Sequence, residues 1–193
     1  TDIAKAQGCK MEDIRNIRVK LCIRPGFHQV EATGMPYFYS TYHYQGARQT
    51  PSIPKESRSM IVLGSGPIRI GQGIEFDYST VHAAWTLRDN GYQAVIINNN
   101  PETVSTDYST SDRLYFEPLG KEEVWEIYQV ENSKGILVQF GGQTAINLVE
   151  FIENEQLPIV GTTAANIEGM EDREQFDAGM ELLDILRPKG YTA

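Results

Sequence analysis

The sequence predicts an α/β fold, a parallel β-sheet covered by helices and preceded by a short helical segment. Three observations predict it. Met60 to Leu63 is a short uninterrupted apolar run, the pattern of a strand buried on both faces. Four glycines, Gly64, Gly66, Gly71 and Gly73, follow within ten residues, and a helical pattern starts after them. From Met60 onward strand-like and helix-like stretches alternate, as parallel strands joined by helical crossovers do.

Residues 1–24 read as two short helices. Asp2 to Gln7 stops at Gly8, and Met11 to Leu21 carries Met11, Ile14, Ile17, Val19 and Leu21 as its apolar positions. Two short helices around a glycine turn, with surplus basic charge, also describe a helix-turn-helix that binds nucleic acid. The preferred reading is a helical hairpin belonging to a neighbouring domain, with Arg15, Arg18 and Lys20 as its solvated face. Residues 25–58 hold Pro25, Gly34, Pro36, Pro51 and Pro54 and read as a linker. Within it lies an aromatic cluster of Tyr37, Phe38, Tyr39, Tyr42 and Tyr44. Such aromatics either stack nucleobases or pin the linker onto the body or an adjacent domain, and the second reading is preferred. His28 and His43 have no metal-ligating neighbours in sequence and are expected to face solvent.

The body is expected over residues 59–186. Its first helix places Val81, Ala84, Trp85 and Leu87 inward and His82 on the surface, and Asp89-Asn90-Gly91 closes it with a left-handed cap. Ala94 to Ile97 is a second strand that runs into Asn98-Asn99-Asn100-Pro101-Glu102 and a polar loop to Asp112. Leu114 to Phe116 is a third strand, ended by Glu117-Pro118. Lys121 to Asn132 is an amphipathic helix with Val124, Ile127 and Tyr128 inward. Ile136 to Phe140 is a fourth strand, opening into Gly141-Gly142-Gln143 with Thr144 as the N-cap of a helix over Ala145 to Glu155. Leu157 to Val160 is a fifth strand. After Gly161-Thr162-Thr163 the chain turns helical, with Met170, Phe176, Leu182 and Leu183 as core candidates. Arg187-Pro188-Lys189-Gly190 reads as a boundary, so residues 187–193 begin another linker.

Charge and composition narrow the function. Residues 1–58 carry +4 and residues 59–193 carry −13, so the body repels nucleic acid. No apolar run approaches the ~20 residues of a membrane span. Cys9 and Cys22 are too few for a disulfide framework and read as reduced thiols of a cytoplasmic protein. The chain opens on Thr1, not Met, and reads as a fragment.

Parallel strands deliver their following loops to one edge, here Gly64 to Glu75, Asn98 to Thr106, Gly141 to Thr144 and Gly161 to Thr163. Neither common nucleotide motif fits. Arg69 stands where the dinucleotide fingerprint needs its third glycine, and Gln72 and Gly73 stand where a P-loop needs Lys and Ser or Thr. The acidic ribose ligand expected after the second strand is replaced by Asn98, Asn99 and Asn100, so a nicotinamide-dependent oxidoreductase is a second choice. His82 is the body's one histidine and neither cysteine lies there, so no catalytic set and no metal ligands are assigned. This edge suggests binding or channelling more than reaction.

The stretch from Gly64-Ser65-Gly66-Pro67-Ile68-Arg69-Ile70-Gly71-Gln72-Gly73 to Ile74-Glu75-Phe76-Asp77-Tyr78 closely resembles the large chain of carbamoyl-phosphate synthase. So do Asn100-Pro101-Glu102-Thr103-Val104-Ser105-Thr106-Asp107, Ser111-Asp112-Arg113-Leu114-Tyr115-Phe116-Glu117-Pro118, Val138-Gln139-Phe140-Gly141-Gly142-Gln143-Thr144 and Glu171-Asp172-Arg173. The resemblance is to the second, carbamoyl-phosphate-forming half. It implies a Rossmann-like pre-ATP-grasp domain, preceded by the end of the helical oligomerisation domain and by the family's linker at Pro36-Tyr37-Phe38-Tyr39-Ser40-Thr41-Tyr42.

The resemblance further implies a ligase that uses ATP with Mg²⁺ or Mn²⁺ to make carbamoyl phosphate from bicarbonate and ammonia, for arginine and pyrimidine synthesis. A glutaminase small subunit supplies the ammonia, and a tunnel carries carbamate between two active sites. Glu75 and Glu102 match carboxylates at the end of that tunnel, and Arg173 matches an arginine near a nucleotide pocket. A surface ion pair of Arg173 with Glu171 or Glu174 is the alternative. ATP and metal would be held mainly by an ATP-grasp domain beyond this chain, so no cofactor is expected to bind here tightly. The remaining partners implied are the other domains of the large chain, with no nucleic acid and no membrane. Two departures stand out: an acidic-cysteine-alanine run is missing between positions 29 and 31, and the end is shortened between Leu186 and Pro188.

Overall fold

The computed structural model describes residues 2–30, 36–42, 50–53, 58–67, 73–188 and 190. In chain order the elements are α1 (Asp2–Gln7), α2 (Met11–Lys20), β1 (Gly26–Gln29), β2 (Tyr37–Thr41), β3 (Ser59–Leu63), α3 (Glu75–Asp89) and β4 (Gln93–Ile97). A 3-10 turn at Val104–Thr106 precedes β5 (Arg113–Tyr115), α4 (Lys121–Glu131), β6 (Ile136–Leu137), α5 (Gly142–Ile146), α6 (Val149–Asn154), α7 (Ala164–Glu171) and α8 (Arg173–Leu182).

The sheet runs β1-β2-β5-β4-β3-β6. Every neighbouring pair is parallel except β1 and β2. β3 is buried along its whole length, as its unbroken apolar run predicts. Residue parity then divides the core. Ile61, Leu63, Val95, Ile97 and Tyr115 pack with Val124, Ile127, Ile152 and Ile167 from α4, α6 and α7. Val62, Ile96 and Leu114 pack with Ala84 from α3 on the other face. The sheet is thus covered on both sides.

Several sequence expectations change. The stretch read as a linker supplies two strands: β1 pairs antiparallel with β2, and Tyr37 and Phe38 pair with Leu114 and Tyr115 of β5. The aromatic cluster explains this. Phe27 meets the Tyr115 ring edge-on at 5.3 Å and Phe38 stacks on it at 5.4 Å, so the segment buries itself in the core. His28 is half-buried and stacked on Tyr39 at 5.5 Å instead of facing solvent. Tyr44 and His43 lie outside the described residues.

The fourth strand is two residues long, and the fifth is reduced to one bridge between Ile159 and Ile136. The helix expected over Ala145 to Glu155 is split into α5 and α6 at Asn147-Leu148, and Gly141, not Thr144, holds the N-cap position. Trp85 is exposed beside His82 and Tyr78 because it lies one residue, about 100°, around α3 from buried Ala84. Met170, Leu182 and Leu183 are also exposed, and α8 buries no residue among those described. No described helix is long and apolar enough to cross a membrane. Cys9 and Cys22 are free and exposed.

The N-terminal hairpin is fastened by charge. Arg15 donates to Glu155, Arg18 meets Glu122 at 2.7 Å, and Arg24 approaches Glu126 at 3.7 Å. The guanidiniums of Arg15 and Arg24 lie over Trp125 at 5.3 and 5.2 Å, and that of Arg18 over Tyr42 at 4.8 Å. Arg15 and Arg18 are therefore interface residues, and of the expected solvated face Lys20 is exposed.

A second charged contact lies deeper. Glu131, at the end of α4, has no exposed side-chain surface. It accepts from Arg113 Nε and Nη2 at 2.8 Å each and from the Tyr115 hydroxyl at 2.6 Å. Arg113 Nη2 also donates to Gln93 at 2.9 Å, so the Arg113 guanidinium joins β4, β5 and α4. Burial, then the Glu131 charge and hydrogen bond, push the Tyr115 hydroxyl far up. Burial pulls Arg113 down, but the Glu131 hydrogen bonds and charge outweigh it and leave it raised. Glu117, just past β5, is also buried and accepts from the Ser40 backbone N–H of β2. Burial raises its pKa from 4.5, against the opposing Ser40 hydrogen bonds.

Two outcomes follow from these carboxylates. Glu131→Ala leaves Arg113 buried without its counter-charge and should cost about 3–5 kcal/mol in a urea unfolding experiment; a loss within error would show that the pair does not hold the sheet. The folded Glu117 keeps its proton at pH values where the unfolded chain has lost it. Its stabilising contribution is therefore complete below 4.5 and lost as pH rises through the raised folded value. The Tm of Glu117→Gln should equal the parent's near about pH 4 and exceed it near about pH 7, and a constant difference across that range would refute the assignment.

Candidate functional site at the carboxyl edge of the sheet

Because β3, β4, β5 and β6 are parallel, the loops after them leave from the same end of the sheet. Asn98, directly after β4, ties the first two together. It is buried, accepts from the Gly66 backbone N–H at 3.0 Å and donates to Ser105 Oγ at 3.0 Å. The residue that rules out an acidic ribose ligand by its type thus spends its amide on the loop after β3 and on its own loop.

The glycines serve the same packing. A Cβ on Gly64 would stand 2.6 Å from Asn98 Cγ, and one on Gly141 would stand 2.4 Å from the Gly64 carbonyl oxygen and 2.7 Å from that of Leu63. Gly66 has φ +68°, open to glycine without strain, and this turns its N–H toward Asn98. These glycines allow backbone to approach backbone between the loops after β3 and β6. Gly142 is buried at the start of α5, Thr144 is half-buried inside that helix, and Gln143 is exposed with its amide donating to Asn147 at 3.0 Å. Gly73 is exposed, and Gly71 lies outside the described residues.

Glu75 is the first residue of α3, exposed, and accepts from the Gly73 backbone N–H at 3.1 Å. Glu102 is exposed in the loop after β4, where its backbone N–H donates to Asn100 Oδ1 at 3.0 Å. Asn100 is buried, and its carbonyl accepts from Thr106 Oγ1 at 2.9 Å, which folds the loop onto the 3-10 turn. The two glutamates therefore leave from adjacent strands at one end of the sheet. A residue overlooked in the sequence joins their elements: Asp77 accepts from the backbone N–H groups of Val104 and Ser105, each at 3.0 Å. An aspartate in the first turn of a helix signals hydrogen bonding to backbone amides, but here those amides belong to another loop.

Arg173 stands apart, exposed at the start of α8 with its guanidinium beside Gly190. It makes no ion pair with Glu171 or Glu174 among the described residues. Among the described residues, no group of three His, Cys, Asp or Glu side chains is placed to hold a metal ion. The edge offers carboxylates, amides and closely packed backbone.

Residues 56–169 match the family model of the carbamoyl phosphate synthase preATP-grasp domain. Among solved structures, the chain is similar to the biotin carboxylase domain of a thermophilic 2-oxoglutarate carboxylase bound to ADP without magnesium. The identity is 20% and the TM-score 0.44, over 65% of this chain and 27% of that one, so this chain spans about a quarter of that protein's length. The family match extends from the segment before β3 into α7 and takes in every loop of the parallel edge. By that match over more than half of its length, the chain belongs to the family of carbamoyl phosphate synthase preATP-grasp domains.

Proposed function

We propose that this chain is the scaffold and carbamate-channel lining of the second half of a glutamine-dependent carbamoyl-phosphate synthase. The parent enzyme is a cytoplasmic ligase that joins bicarbonate, ammonia and ATP-derived phosphate. Its partners are a glutaminase subunit and an adjoining ATP-grasp domain that holds ATP and its divalent metal. The observation that carries the reading is the placement of Glu75 and Glu102 after adjacent parallel strands, in elements joined through Asp77. Carbamate decomposes in water, so its passage needs walls that exclude solvent and polar groups held in place. Both glutamates are exposed in this chain, and a domain packed over the edge would close the passage around them. Arg173, outside this edge, is assigned to the side facing the nucleotide. The nicotinamide reading loses support because Asn98 replaces the ribose-binding acid and already bonds Gly66 and Ser105.

In the full enzyme, Glu75→Gln or Glu102→Gln should lower the carbamoyl phosphate made per ATP cleaved at the first site by roughly tenfold, the scale of a misplaced active-site group. Equal losses of first-site cleavage and of product would defeat the channel reading. The 193-residue chain alone should turn over no ATP in a phosphate-release assay, and sustained turnover abolished by a site variant would show that it carries its own centre.

A further inference from the structure

We infer that Asp77 is a positioning residue that sets the separation of Glu75 and Glu102, an inference that rests on the channel reading above. Its carboxylate accepts two consecutive backbone N–H groups, Val104 and Ser105, each at 3.0 Å. On one side it lies two residues beyond Glu75, in the same first turn of α3. On the other side the first amide it holds lies two residues beyond Glu102. One side chain therefore closes a short bracket between the two proposed channel carboxylates, with no more than two residues of backbone between it and either of them.

The far arm of the bracket is stiff. Thr106 Oγ1 donates to the carbonyls of Asn100 and Thr103 at 2.9 Å each, and Thr110 Oγ1 to that of Val104 at 2.7 Å. Asn98 fixes Ser105 from the β4 side. These contacts shape the loop internally or tie it to the sheet. Among the described residues, the hydrogen bonds between the first turn of α3 and the 3-10 turn are those of Asp77. A charged acceptor strengthens both bonds. An asparagine in its place keeps one oxygen and turns an N–H toward the second amide, so it removes half of the bracket without emptying the site.

The test uses the full-length enzyme that contains this segment, as Asp77→Asn and Asp77→Ala. Hydrogen exchange in peptides covering residues 102–108 should quicken by roughly tenfold or more in both variants. Carbamoyl phosphate made per first-site ATP cleaved should fall in the order parent, Asn, Ala, by roughly tenfold in the last, at temperatures well below each variant's Tm. Unchanged exchange in both variants would overturn the bracket. Quickened exchange with an unchanged product-to-ATP ratio would show a merely structural contact and overturn the positioning role. If Glu75→Gln and Glu102→Gln lower both activities together, the channel reading fails instead, whatever the exchange result.

Discussion

The fold depends on a carboxylate sealed from solvent. Glu131 sits inside the core, where an unpaired charge would cost several kcal/mol. It is stable there because Arg113 presents a planar two-pronged donor and Tyr115 a hydroxyl, all within 2.8 Å. That geometry is available only if β5 lies beside β4 and α4 crosses over it. The pair thus specifies register and helix placement, which apolar packing alone fixes less sharply. Tyr115 carries the constraint outward, since its ring is also the surface on which Phe27 and Phe38 bring β1 and β2 into the sheet.

At the parallel edge the same logic runs through neutral groups. A glycine-rich loop after a buried strand suggests a phosphate cradle, and here the space its glycines leave is filled by the protein itself. Gly64 makes room for Asn98, and Gly141 for the carbonyls ending β3. The loops become one interlocked layer, held by close backbone packing and by the Asn98 amide.

The N-terminal hairpin shows how the uneven charge is used. A segment of +4 precedes a body of −13, and three arginines carry the attraction at short range. Each is placed over an aromatic ring as well as near a glutamate. Stacking lets the guanidinium stay weakly hydrated, so the contact survives partial burial better than a lysine pair would.

Much of this was legible from residue pattern alone. The buried run Met60 to Leu63, the stop at Gly91 and the helical period of Val81 and Ala84 are local signals, and local physics decides them. Asn98 already spoke against a dinucleotide site by its type. What the pattern could not reveal depends on partners far along the chain. Proline and glycine spacing hid β2, whose pairing is decided by a ring 77 residues away from Phe38 at Tyr115. Trp85 and Leu182 look like core residues but are exposed, because burial needs an opposing surface and not just an apolar side chain. Only the assembled sheet shows Glu131 sealed against Arg113 and Asp77 bonded to a neighbouring loop. The sequence by itself determined the alternation of strand and helix from β3 onward and the full burial of β3, since these follow from backbone preference and periodicity. The tertiary structure decided which polar groups meet, because hydrogen bonds between distant residues exist only after the chain has closed on itself.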